Sequence, residues 1–176
     1  MRGGALPKAR VKISIIVPAF NEEKFIARSL RKIKAATDAF SSLGWEGEII
    51  VCDNNSTDRT AEKARAAHAT VVFEPMNQIS RARNKGAAAA TGDWLVFVDA
   101  DSYPSRELFA DLAVVIQSGC CLGGGAVVRM DRAVGWTRLF IPLWNGIMRI
   151  GSAVQPRRAS VPSSAAVSRA GRLALG

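Results

Sequence analysis

The chain has 176 residues, too many for a disulfide-stapled miniprotein and the right length for one domain with its own core. With 48% hydrophobic and 22% charged residues, a disordered body is excluded. The net charge of +9 first suggests a polyanionic partner, but residues 1–10 and 151–176 hold seven cations and no acid, which leaves +2 for the body. That body shows no basic stripe with a recognition helix or stacking aromatics, so nucleic acid is not the expected partner. Cys52, Cys120 and Cys121 have neither disulfide nor zinc spacing, which points to a reducing compartment. The N-terminus lacks the apolar core of a signal peptide, and no run of about 18 apolar residues occurs, so a cytoplasmic location is expected.

In chain order, residues 13–17 (Ile-Ser-Ile-Ile-Val) read as a buried parallel strand that Pro18 stops. Helical periodicity over 22–36 puts Phe25, Ile26, Leu30 and Ile33 on one face and Lys24, Arg28, Arg31 and Lys32 in water. Strands follow at 48–52, 70–73 and 94–98, separated by helices at 57–67 and 80–90. A helix over 105–117 uses Leu108, Phe109, Leu112, Val115 and Ile116 inwardly, and 123–130 reads as a last strand. The alternation predicts an α/β fold: a mainly parallel sheet with right-handed crossovers and helices on both faces.

Ligands of such sheets bind beyond the carboxyl ends of the strands. Those ends are polar here: Pro18-Ala-Phe-Asn-Glu-Glu23, Asp53-Asn-Asn-Ser-Thr-Asp58 and Asp99-Ala-Asp101. Neither G-x-G-x-x-G nor a P-loop is present, which excludes a dinucleotide cradle and a P-loop NTPase. Asp99 and Asp101, spaced i, i+2 after an apolar strand, can instead hold Mg²⁺ or Mn²⁺ against substrate phosphates, so a diphosphate ligand is implied. The bland alternatives are helix capping for Asp99 and Asp101, and an Asx-turn for Asp53. Arg81, Arg83 and Lys85 open a helix, where cations oppose the macrodipole unless an anion is near. That suggests a ligand-facing role, although Lys85 reads better as part of a solvated turn. His68 and the cysteines read as structural.

Four segments together carry a resemblance: Ile13-Ser-Ile-Ile-Val-Pro-Ala-Phe-Asn-Glu22, Val51-Cys-Asp-Asn-Asn-Ser-Thr-Asp58, Ala82-Arg-Asn-Lys-Gly86 and Val96-Phe-Val-Asp-Ala-Asp101. In this order and spacing they resemble glycosyltransferase family 2 over about residues 11–130. The resemblance implies a GT-A fold, a nucleotide-diphosphate-sugar donor with UDP-sugars favoured, a divalent metal, and inverting transfer to an acceptor hydroxyl by direct displacement. It also implies roles. Pro18, Phe20 and Glu22 would line the base and ribose site, Asp53 would accept a hydrogen bond from the base, and Arg83 would lie near the base or diphosphate. Asp99 would sit toward ribose and metal, and Asp101 would coordinate the metal that bridges the diphosphate.

Family members continue into an acceptor half with a Gly-Gly-Phe-Asp-like segment and an acidic catalytic base. The last acid of this sequence is Asp131, so no carboxylate follows to deprotonate an acceptor. Residues 132–150 read as an apolar helix, with Trp136, Phe140 and Trp144 at helical spacing, suited either to a membrane surface through 136–150 or to the acceptor half. Residues 151–176, rich in Ala, Ser and Arg and without an acid or aromatic, are expected to bury no core. Two origins stay open for this stretch, a disordered tail and an out-of-frame continuation. The expectation is an 11–131 nucleotide-sugar-binding domain between flexible ends.

Overall fold

The computed structural model describes residues 11–119, 123–125 and 165–169. Four parallel strands form its centre: β1 (Lys12–Ala19), β2 (Glu46–Asp53), β3 (Thr70–Phe73) and β4 (Trp94–Val98). The helices are α1 (Ile26–Ala36), α2 (Asp38–Ser41), α3 (Thr60–Ala66), α4 (Ile79–Ala88) and α5 (Arg106–Gln117). Two short strands, β5 (Gly123–Gly125) and β6 (Ala165–Arg169), complete a six-stranded sheet of order β3-β2-β1-β4-β6-β5, with β6 antiparallel to both neighbours.

Side-chain alternation along β1 sorts the two layers. Ile13, Ile15, Val17 and Ala19 join Ile26, Leu30, Ile33, Phe40, Leu108 and Phe109 in one buried cluster under α1, α2 and α5. The opposite face receives α4, and the packing there is close: a Cβ on Gly86 would meet Ile16 Cγ2 at 2.5 Å. Only glycine lets α4 lie this near β1.

Several expectations need correction. Pro18 does not stop the first strand but is paired opposite Cys52 within it. The β4 ladder ends at Ile16–Phe97, so the missing N–H of Pro18 leaves no β4 carbonyl waiting. Phe25 is not on the inner face of α1 but stands 46% exposed just before it, and the buried stripe is Ile26, Ser29, Leu30, Ile33 and Ala36. Residues 165–169 lie in the stretch expected to hold no structure, yet they form a strand beside β4. Backbone pairing to an apolar neighbour supplies what local sequence does not. Residues 1–10, Cys120 and Cys121, 126–131, the apolar segment 132–150 and the rest of 151–176 lie outside the described residues. Among the described residues no helix is long and apolar enough to cross a membrane.

At the amino-terminal edge of the sheet, Glu48 accepts from the Ser14 hydroxyl (2.5 Å) and the Thr91 amide (2.7 Å) and pairs with Lys12 Nζ (3.0 Å). Partial burial opposes its charge, but the Ser14, Thr91 and Lys12 bonds win and hold its carboxyl at about 2. A depressed carboxyl stabilises the fold fully above its ordinary value, and that contribution fades as pH falls toward 2. Glu48→Gln is therefore expected to cost about 1–2 kcal/mol at pH 6, with the gap to the parent shrinking between pH 4.5 and 2. Urea midpoints across that range check this; a gap that does not change with pH would contradict it.

Candidate donor-binding site

The strand order runs outward from β1 through β2 to β3 and then returns to β4 on the other side of β1, so the order reverses between β1 and β4. Crevices at such reversals, beyond the carboxyl ends of the strands, are where open α/β sheets bind ligands. The turns after β1, β2 and β4 meet here.

The first two turns are stitched together. Asn21, in the left-handed region at φ 54°, donates its amide to Ser56 Oγ (3.0 Å) and accepts from the Thr57 amide (2.8 Å). The Glu22 amide donates to Thr60 Oγ1 (2.8 Å), the Glu23 amide to Asp58 (3.1 Å), and the Asn54 amide to the Ala19 carbonyl (2.8 Å). Asp58 is itself pinned by the Thr60 amide and hydroxyl; although desolvation opposes it, these bonds hold its carboxyl below the ordinary value. Asp53, 6% exposed, accepts from the Ser56 amide at 3.3 Å, three residues on rather than the two of the Asx-turn expected as the bland reading. Asp53 ends β2 opposite Ala19, so its carboxylate belongs to the strand-end rim.

The turn after β3 is fastened to the same rim. The Glu74 amide donates to the Asp53 carbonyl (2.9 Å), the Asn54 side chain donates to Asn77 (3.3 Å), and Asn54 Oδ1 accepts from the Gln78 amide (3.2 Å). Buried Glu74 accepts from the Met76 amide and Arg81 Nε, both at 3.1 Å, and those bonds keep its carboxyl below the ordinary range. Burial, with the charges of Glu74 and Asp53, pushes the Cys52 thiol up to about 11, so it is no nucleophile at neutral pH.

Helix α4 starts from this fastened turn and aims Arg83 at the β4 end. Its Nη2 donates to Asp99 Oδ1 at 3.1 Å, while its Nε is buried without a hydrogen-bond partner among the described residues. The anions that offset cations at the start of α4 are thus protein acids, Glu74 for Arg81 and Asp99 for Arg83. Asp101 is exposed, with no hydrogen bond or ion pair among the described residues. Burial, followed by the charges of Asp101 and Asp58, raises the Glu22 carboxyl above its ordinary value. Negative charge therefore accumulates at this mouth faster than the protein neutralises it.

Of the residues named from sequence, Asp53, Arg83, Asp99, Asp101 and Glu22 stand around this crevice; Phe20 sits 41% exposed on its β1 side and Pro18 is buried behind it in β1. Asn54 and Glu74 escaped the sequence reading. Glu74 follows the strand expected at 70–73, so the rule that found Asp53 and Asp99 reaches it once that strand's end is read with the others. Asn54 is legible only through its partners across the turn. No three metal-ligating side chains cluster among the described residues. Two adjacent carboxylates, one of them unpaired, fit a hard cation that draws its remaining oxygen ligands from water and a diphosphate.

Comparison with known proteins agrees with the α/β fold. Over 156 residues the chain is 27% identical to a dolichol-phosphate mannosyltransferase of Pyrococcus furiosus, covering 84% of this chain and 42% of that protein. The chain thus spans less than half the length of such relatives. Among solved structures it is similar to Mycobacterium tuberculosis glucosyl-3-phosphoglycerate synthase in complex with Mn²⁺, UDP and glucosyl-3-phosphoglycerate, at TM-score 0.61 and 26% identity, over 90% of this chain and 57% of that one. It is also similar to S. aureus TarS 1-349 in complex with UDP-GlcNAc, at TM-score 0.53 and 30% identity, over 70% of this chain and 37% of that one. The family model for glycosyl transferase family 2 matches residues 14–167, reaching past the motifs into β6. With the GT-A arrangement of sheet and helices it shares with these enzymes, the chain belongs to glycosyl transferase family 2.

Proposed function

We propose that the chain binds a nucleotide-diphosphate sugar, a UDP-sugar first among them, in a divalent-metal-dependent manner, as the donor-binding part of an inverting glycosyltransferase. The observation that carries this reading is the half-neutralised mouth: Arg83 with a buried, unpartnered Nε, paired to Asp99, two residues from the unpaired Asp101. A lone metal ion would leave Arg83 Nε unused, and a lone phosphate would face the acids uncompensated; a metal-bound diphosphate answers both. The UDP and UDP-GlcNAc held by the similar enzymes support uridine.

In this reading Phe20 supplies an apolar wall for base and ribose, backed by Pro18, and Asp53 accepts an N–H from the base edge on a carboxylate already fixed by Ser56. Glu22 closes the ribose side. Arg83 releases part of its hold on Asp99 to donate to the diphosphate. Asp99 and Asp101 would hold Mg²⁺ or Mn²⁺, which when bound offsets the charge that builds on the departing diphosphate. Inverting displacement also needs a base for the acceptor hydroxyl, and residues 132–176 contain no carboxylate. The second reading is nucleotide-sugar binding without turnover, and a glycosyl-transfer assay separates the two.

Titration calorimetry with UDP, with and without Mn²⁺, tests the proposal. Binding that tightens with the metal is expected. Failure of UDP, GDP and dTDP alike to bind would overturn it.

A further inference from the structure

Just beyond Asp101, the chain is held from below by two consecutive residues of α1. Ser29 is fully buried, and its hydroxyl donates to the Ser102 carbonyl at 2.9 Å. The adjacent Arg28 places its guanidinium 4.8 Å from the centre of the Tyr103 ring. The Ser102 amide in turn donates to the Asp99 carbonyl at 2.9 Å, closing a turn around Ala100 and Asp101. A serine inside a helix ordinarily returns its hydroxyl to the carbonyl one turn back. Ser29 does not; its bond spans 73 residues to another element.

We propose that Ser29 and Arg28 are positioning residues: α1 holds the Ser102 carbonyl and the Tyr103 ring and so fixes the Asp99–Asp101 turn in the arrangement that receives the metal-bound diphosphate. This rests on the donor-site reading above. The physical need is clear. Asp101 is exposed and has no partner of its own among the described residues, so nothing on its side chain fixes where its oxygens stand. Two carboxylates serve one cation only if their separation is set beforehand, and a loop free to move would have to be ordered at the moment of binding. The clamp acts on the Ser102 carbonyl and the Tyr103 ring, next to Asp101, and supplies no ligand of its own. It also links the covering helix to the site: α1 begins at Ile26, four residues after Glu22, on the segment the β1 turn fixes, so both sides of the mouth hang from one short stretch of chain.

The test compares UDP affinity with and without Mn²⁺ in the parent, Ser29→Ala and Tyr103→Leu, with urea midpoints recorded alongside. The quantity read is the factor by which Mn²⁺ tightens UDP. Ser29→Ala is expected to reduce that factor about 5- to 10-fold, the worth of one lost hydrogen bond. Tyr103→Leu, on the partly exposed side of the clamp, is expected to reduce it about 2- to 4-fold. Metal-free UDP affinity stays close to the parent's in both. Retention of the full factor in both variants would overturn the inference, and so would a loss of metal-free and metal-dependent affinity in the same proportion, which marks general damage. A parent in which Mn²⁺ does not tighten UDP would instead overturn the donor-site reading itself, and the clamp with it.

Discussion

Phe109→Ala is expected to lower the unfolding free energy by about 3–5 kcal/mol. Phe109 is fully buried and stacks on Phe40 with ring centroids 5.1 Å apart, and Phe40 stacks in turn on Trp45 at 6.2 Å. This file of rings joins α5 to α2 and to the start of β2. Truncation removes an entire ring from the buried cluster, whose other members are held on strand and helix backbone and cannot refill the space. Because α5 begins five residues after Asp101, the same variant should also weaken nucleotide binding. Urea denaturation followed by tryptophan fluorescence measures the first effect; a loss under 1 kcal/mol, roughly what a well-relaxed site would show, would contradict this view of the core.

Asp101→Asn is expected to remove the Mn²⁺ contribution to UDP binding, on the order of a 100-fold loss of metal-dependent affinity, because even outer residues around metal ligands are commonly worth 10–100-fold. The substitution keeps size and shape and deletes one charge, so stability should not fall. It should rise slightly, since Glu22 then faces one less negative neighbour. Calorimetry with and without the metal, together with a urea midpoint, reads both. Loss of metal dependence accompanied by unfolding would argue for a structural role of Asp101, such as capping, and against ligation.

Strands and main helices were legible because their signals are local. Apolar runs such as Trp94-Leu-Val-Phe-Val98 are long enough to declare a buried strand, and the strand observed there has those bounds. The polar strand ends were legible for the same reason, since a parallel sheet fixes where its ligands go once the strands are known. What escaped depends on partners distant in sequence. Helix α2 spans only Asp38–Ser41, one turn, and exists because Phe40 is pulled into the core. Strand β6 is Ala-Ala-Val-Ser-Arg, with a single β-branched residue, and is extended because it pairs with β4. Phe25 satisfied the helical period but fell outside the helix, where the turn after Glu22 directs it to solvent. Ser29 gave no sequence signal at all: one hydroxyl in an amphipathic helix becomes meaningful only when the turn after β4 is seen resting on it.

In the proposed site the rim acids and a bound nucleotide diphosphate share one divalent cation. The most direct measurement is the free Mn²⁺ electron paramagnetic resonance signal during titration with protein, with UDP, and with both. The account predicts little loss of signal with protein alone, since two carboxylates make a weak site, and a loss with protein and UDP together well beyond that caused by UDP alone. Asp101→Asn should abolish that additional loss. A signal in the ternary mixture equal to that of UDP alone would contradict the account.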